Sequence, residues 1–425
     1  MNRAIKPTPS VENSPPRVGI ALIAAMVILT CGHVLSNLLR TTPAVAIDVM
    51  AADLHSTAQR LAALTAAYHF SFALFQIPIG VALDRYSIRN VSLVLFGATL
   101  LGACIAALSQ GPASFLLAQI IMGMATSGML LCPMALAAKR LSPVQFGLWS
   151  GLILSLGNGG MLLSSAPLAW VVEHWGWRSG FWLAAAAACV VALLVLLIVP
   201  NDKPSASTRR ALLTEMTTVL RLGLSPALRG IVILAFVSLA VQLVLRGLWA
   251  GPWLMDIKGL SRIAAGNVLL LFTLALVLAP TLSGVVDRRL GHRRALLLGS
   301  QLLAAALFVL MAWGGPGQPL SDMFGVAVMP VSFDIGALVL IGMLVCVQPL
   351  IYAMTRQMVP SEHVGKALSA VNLSFFLGTA VMQSATSPIA AAFGLPVVLM
   401  AMAGMLTCGT ILFFVLTRPL ASASA

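Results

Sequence analysis

Residues 91–108 and 335–354 contain no Asp, Glu, Lys or Arg, and comparable uncharged apolar runs recur along the chain. At a rise of about 1.5 Å per residue, each is long enough as a helix to cross a hydrocarbon core of about 30 Å. The chain therefore reads as a polytopic membrane protein built of helices. Composition agrees: the chain is 60% hydrophobic and 9% charged, whereas soluble domains are about 45–50% apolar and about 25% charged. With only 25 Lys and Arg and 12 Asp and Glu, a soluble polar shell cannot be built around so much apolar surface.

Breaks at Gly, Pro and charge divide the sequence into twelve predicted spans: 18–51, 61–83, 91–108, 114–138, 144–172 and 179–199, then 230–255, 264–286, 295–313, 335–354, 367–392 and 396–416. The expected organisation is a disordered cytoplasmic tail (1–17), a six-helix bundle (18–200), a cytoplasmic linker with a short amphipathic helix (201–228), a second six-helix bundle (229–418) and a tail (419–425). Charge orients this arrangement. If both ends are cytoplasmic, only Arg60, Arg178, Lys258 and Arg262 fall outside, and Arg40 and Arg246 are left within the membrane. All other Lys and Arg fall inside, as the positive-inside rule requires. The net charge of +13 is therefore a topology signal, and nucleic-acid binding is not expected. The six cysteines lie in apolar runs with no C-x-x-C pair and read as small core residues.

The two halves resemble each other. "LLRTTPAVAIDVMAADLHSTAQ" from Leu38 parallels "VLRGLWAGPWLMDIKGLSRIAA" from Val244, and each is followed by an apolar span ending in acid and base: "GVALDRYSIRN" and "SGVVDRRLGHRR". Internal repeats in a membrane chain point to a transporter with its site near the midplane, between the repeats. Gly80, Asp84, Arg85 and Arg89 fit the loop motif G-x-x-x-D-R-x-x-x-R, and Asp287, Arg288, Gly291, Arg293 and Arg294 fit its second copy, with Ser283 at the leading glycine. On these residues, and on the outer "WGWRSGF", the chain resembles the major facilitator superfamily from Val18 to Leu416. The resemblance implies an all-α fold of twelve transmembrane helices in two pseudo-symmetric six-helix bundles. It further implies that Gly80, Asp84, Arg85, Arg89, Asp287, Arg288 and Arg293 form gates, Asp84 and Asp287 latching the halves when the cavity faces outward.

An arginine at the centre of a span costs roughly 2.5–3.5 kcal/mol on insertion scales. Snorkelling to the headgroups is the ordinary explanation, but apolar residues continue on both sides of Arg40 and Arg246. His33, Asn37 and Arg40 share one helical face with Thr30, and Gln242, Arg246 and Trp249 share another with Ser238. Tyr68, Phe72 and Gln76 stack along the second span with His69 beside them. No acid falls mid-span, so the planar forks of the two arginines have no evident carboxylate partner and suit a carboxylate or phosphate substrate. One arginine in the first and one in the seventh span is also similar to the organic-phosphate antiporters and nitrate porters of the superfamily.

The expected function is therefore secondary active transport of a small anionic metabolite, with Arg40 and Arg246 as the clamp. Further lining is expected from His33, Asn37, Tyr68, His69, Gln119, Gln242, Trp249, Gln348, Tyr352 and Asn372. The alternative is a proton-coupled exporter of drugs or other lipophilic or cationic compounds; that branch usually carries an arginine in the fourth span, where this chain has Gln119. His33 and His69 offer proton coupling, and exchange against a counter-anion needs none. No enzyme, metal or cofactor motif is present: there is no G-x-S-x-G, H-E-x-x-H or Walker loop. The remaining expectations are a monomer, in contact with the lipid bilayer, in a bacterial inner membrane.

Overall fold

The computed structural model describes residues 19–141, 143–201, 212–360 and 364–417, without a few side chains, those of Asp84 and Arg288 among them. The predicted tails and the first part of the linker lie outside the described residues. Twelve helical spans are long and apolar enough to cross a membrane: α1 Ile20–Thr41, α2 Ala58–Leu83, α3 Ile88–Ala107, α4 Pro112–Arg140, α5 Gly151–Trp175, α6 Trp177–Ile198, α7 Arg229–Ile257, α8 Arg262–Asp287, α9 Arg293–Trp313, α10 Val331–Met358, α11 Gly365–Phe393 and α12 Leu395–Leu416. The protein is all-α among the described residues. Large apolar side chains such as Val94, Leu197 and Leu278 are turned outward, where a soluble protein would carry charge. Cys189 and Cys408 are exposed there too, so only some of the cysteines are core residues.

The first predicted span, 18–51, is two helices. Pro43 lacks the N–H that would continue α1, so α1 ends at Thr41 and a separate helix, Pro43–Asp53, begins at the proline. Other breaks recur at matched places in the two halves. The fourth span of each half is interrupted: α4 between Pro112–Thr126 and Leu131–Arg140, α10 between Val331–Val345 and Gln348–Met358. The second span of each half carries an internal proline, Pro78 in α2 and Pro280 in α8. The fifth spans differ between the halves, since α11 stays helical past its internal Pro388. α5 opens at Ser164 and Ser165, between the helices Pro143–Leu163 and Ala166–Trp175.

Backbones within each half pack at very close range. A Cβ on Gly160 of α5 would lie 2.0 Å from the Val34 carbonyl of α1, and one on Gly378 of α11 would lie 1.8 Å from the Phe236 carbonyl of α7. Small residues allow such approaches where lipid supplies no hydrophobic drive between helices. α7 departs from α-geometry twice, with π-turns at Leu245–Trp249 and Trp253–Ile257. Arg246 lies inside the first.

Candidate functional site

Between the halves lies a cavity of about 460 Å³. Its lining comes from α1, α2, α4, α5, α7, α8, α10 and α11, mostly on the side nearer the chain ends, where Leu131, Pro280 and Tyr352 lie. Of the residues expected to line a site, His33, Asn37, Arg40, Gln242, Gln348, Tyr352 and Asn372 do so. Arg246, Tyr68, His69, Gln119 and Trp249 are buried away from the cavity.

Consecutive turns of α1 present His33, Asn37 and Arg40. Asn37 Nδ2 donates to the Gly157 carbonyl of α5 at 3.0 Å and lies 3.4 Å from His33 Nε2. Arg40 Nε donates to the Ser36 carbonyl at 3.2 Å and Nη2 to Ser36 Oγ at 2.6 Å. Its guanidinium carbon sits 5.0 Å from the Phe72 ring and 5.3 Å from the Phe376 ring, whose centroids are 4.2 Å apart. Such cation–π contacts hold a guanidinium without neutralising it. Tyr68 acts behind the wall: its hydroxyl donates to the Ser36 carbonyl at 3.2 Å and meets Thr126 Oγ1 at 2.5 Å. It thereby holds the serine that holds Arg40.

The facing wall is amide-rich. Gln348 Nε2 donates to Gln242 Oε1 at 2.8 Å. Tyr352 donates to Asn372 Oδ1 at 3.1 Å, and Asn372 Nδ2 donates across the halves to Gln76 Oε1 at 2.9 Å. Gln76, Thr273, Asn158 and Phe376 also line the cavity. Gln76 lay on the second-span stripe, but Phe376 has no sequence signal beyond its spacing from Asn372.

Arg246 is fully buried. Nε donates to Thr273 Oγ1 of α8 at 2.6 Å, and Nη2 donates to the Met161 carbonyl at 2.8 Å and Ser165 Oγ at 2.6 Å, both on α5 of the other half. Nη1 makes no hydrogen bond among the described residues. The shared face expected of Gln242, Arg246 and Trp249 assumes 3.6 residues per turn. The π-turn beginning at Leu245 ends that register, so Gln242 faces the cavity while Trp249 turns to Thr386 of α11, 3.0 Å away. His69 packs beside Tyr68, ring centroids 5.4 Å apart, and Gln119 is buried in α4.

Around the loop motifs, Asp287 accepts from Arg293 Nε at 2.8 and 3.0 Å, within its own half. Arg89 Nη2 donates to the Leu196 carbonyl at 2.6 Å, and Arg294 donates to the Phe414 carbonyl, each again within one half. Arg85 is exposed and Gly80 has open space around it. The side chains of Asp84 and Arg288 lie outside the described set.

The opposite face is closed by bonds between halves. Arg262, at the start of α8, donates to Asp48 at 2.7 and 2.8 Å, to Glu173 at 3.1 Å and to the Val45 carbonyl. Partial burial pushes the Asp48 carboxyl up, but the Arg262 hydrogen bond and charge, with backbone N–H groups, outweigh it and hold the group below its ordinary range. Gln383 of α11 donates to Ala62 and Thr65 of α2. Within the second half, Lys258 and Asp334 form a buried pair at 2.8 Å, with Trp253 Nε1 on the same carboxylate at 2.7 Å. Asp334 thus lies inside α10, at its outermost turn, with its charge compensated.

Similar solved structures include a peptide transporter (POT) in complex with sulfate, at TM-score 0.75 and 12% identity over 94% of this chain and 96% of that one. Another is a POT family transporter in complex with 5-aminolevulinic acid, at TM-score 0.73 and 14% identity over 92% and 96%. A third is the nucleoside transporter NupG, at TM-score 0.73 and 13% identity over 94% and 100%. No curated protein gives a significant match. The profile of the Major Facilitator Superfamily matches residues 29–328 and 231–425. Twelve spans in two repeated halves, a cavity between them and a match covering nearly the whole chain make this protein a member of the Major Facilitator Superfamily.

Proposed function

We propose that this secondary transporter moves a small anionic metabolite, of carboxylate or phosphate type, by alternating access. The observation that supports the reading is Arg40. It is the only Lys, Arg, Asp or Glu among the described cavity-lining residues, and its described hydrogen bonds go to neutral groups. In a site of low dielectric an uncompensated cation attracts anions and repels cations strongly. Under the positive-inside assignment the cavity faces the cytoplasm, with both termini on that side, in a bacterial inner membrane. Coupling would be by exchange, the substrate itself discharging Arg40, or by a proton carried at His33, the histidine on the wall. The chain acts as a monomer in this reading.

The second reading, export of lipophilic or cationic compounds, draws on the apolar share of the lining, with Phe72, Phe375, Phe376, Leu130 and Leu154. Thermal unfolding in mild detergent against small anions, neutral sugars and cationic drugs separates the two. A ligand at 100 times its dissociation constant raises stability by about 2.7 kcal/mol. The anion reading expects that gain with carboxylates or phosphates and its loss in Arg40→Ala. Stabilisation by cations, unchanged in Arg40→Ala, would overturn it.

A further inference from the structure

The repeat predicts two equivalent arginines, and the tertiary structure makes them unequal. Arg40 opens onto the cavity, whereas Arg246 lies behind two residues of its wall, Met161 and Thr273, and bonds to both. Three of its contacts reach across to α5 of the first half: the Met161 carbonyl and the Ser164 and Ser165 hydroxyls. These groups sit where α5 breaks, at the C-terminal end of the helix Pro143–Leu163. A helix C-terminus exposes carbonyls with no N–H partner and carries the negative end of the dipole. The broken helix therefore supplies the counter-charge that the missing carboxylate does not. The equivalent stretch of α11, "MQSATSP" from Met382, stays helical through its proline and has no described hydrogen bond to Arg40, whose hydrogen bonds go to its own helix and whose rings come from α2 and α11.

We propose that the two arginines divide the work: Arg40 alone meets the charge of the substrate, which is therefore a monoanion, while Arg246 ties the halves together on the closed side. This rests on the anion-carrier reading and narrows it. One formal charge faces the cavity, so a second negative charge on the ligand would be buried without a cation. The wall facing Arg40 offers Gln242, Gln348, Tyr352 and Asn372, which suits a neutral hydrogen-bonding group, and Phe72 and Phe376 suit an apolar body between the two. Because Met161 and Ser165 belong to the first half, opening of the closed face breaks the Arg246 bonds. Arg246 then governs the rate and balance of the conformational exchange.

The test uses the full chain, in detergent for binding and in proteoliposomes for flux. The probes are benzoate and lactate as monoanions, succinate and glycerol 3-phosphate as dianions, and tetraphenylphosphonium as a cation. The expected result is that a monoanion binds more tightly than the dianions and that Arg40→Gln weakens it by about 10-fold to 100-fold, the loss of a charge-assisted hydrogen bond. Arg246→Gln keeps its affinity within about threefold while flux falls by about tenfold or more, a coupling loss of ordinary size. Arg246→Lys, which keeps the charge on the helix end, restores part of the flux. A purely structural role would lower flux only in proportion to folded protein. If Arg246→Gln does not fold, Arg246→Lys decides: kept affinity with slowed flux supports the division, and lost affinity overturns it. Preference for succinate or glycerol 3-phosphate, lost equally in both Gln variants, overturns the division but leaves the anion reading standing. Binding of tetraphenylphosphonium alone overturns both.

Discussion

At the face carrying the chain ends, the described bonds of the loop motifs stay inside one half: Asp287 with Arg293, Arg89 with Leu196, Arg294 with Phe414. At the opposite face the bonds cross: Arg262 with Asp48 and Glu173, Arg246 with α5, Gln383 with α2. The first set makes each half a rigid body, and the second fixes how the two bodies lean on each other. Perturbing the first set should therefore lower stability, and perturbing the second should shift a conformational equilibrium.

Two glycines give the sharpest contrast. Gly378 meets the Phe236 carbonyl inside the second half, and a Cβ on Gly251 would lie 1.5 Å from the Ala44 carbonyl of the first half. Overpacking costs typically about 1–3 kcal/mol. Gly378→Ala should lose the upper end of that range in thermal unfolding, because neither α7 nor α11 can move away alone. Gly251→Ala should lose less, because the halves can part, and spin labels at His55 and Phe324 should then report a longer distance across the closed face. Equal melting losses with an unchanged distance would break the comparison.

Arg262→Gln comes next. Arg262 is largely buried, but its acids are half exposed, so screening leaves about 1 kcal/mol, a roughly fivefold shift towards the open face. The label distance should respond while the melting midpoint barely moves; a large melting loss with no change of distance would place Arg262 among the structural ties. Acid should act the same way. With its folded value lowered, the Asp48 pair is at full strength above the unfolded value near 4 and is lost as pH falls through the lowered one. The outer distance should lengthen over that window in the native chain, and Asp48→Asn should lengthen it at every pH. An Asp48→Asn variant that kept the native pH response would exclude this carboxylate as its source. The smallest effect is expected from Arg89→Ala, an exposed tie within one half: below about 1 kcal/mol in melting, with the label distance unchanged.

The polar stripe expected from the sequence coincides with the cavity wall where side chains follow regular helix geometry. His33, Asn37 and Arg40 fall on consecutive turns of an unbroken stretch of α1, and all three line the cavity. Tyr68 shares a stripe with Phe72 and Gln76 but points instead to Ser36 and Thr126. A stripe on a helix buried on several sides does not say which neighbour it faces. Trp249 and Arg246 were displaced by a π-turn, which leaves no periodic mark in the sequence and whose Arg246 bonds to α8 and α5.

By itself, the amino-acid sequence determined the membrane class, the number of spans, the repeat and the positions of the two buried arginines, because lipid imposes length, hydropathy and internal hydrogen bonding on any chain that crosses it. Only the tertiary structure decided which arginine faces the cavity. That outcome depends on where α5 breaks and on how α7 is wound beside it. A guanidinium in an apolar setting goes to whichever acceptor the packing leaves open, and for Arg246 that acceptor is a helix end more than 80 residues away in the chain.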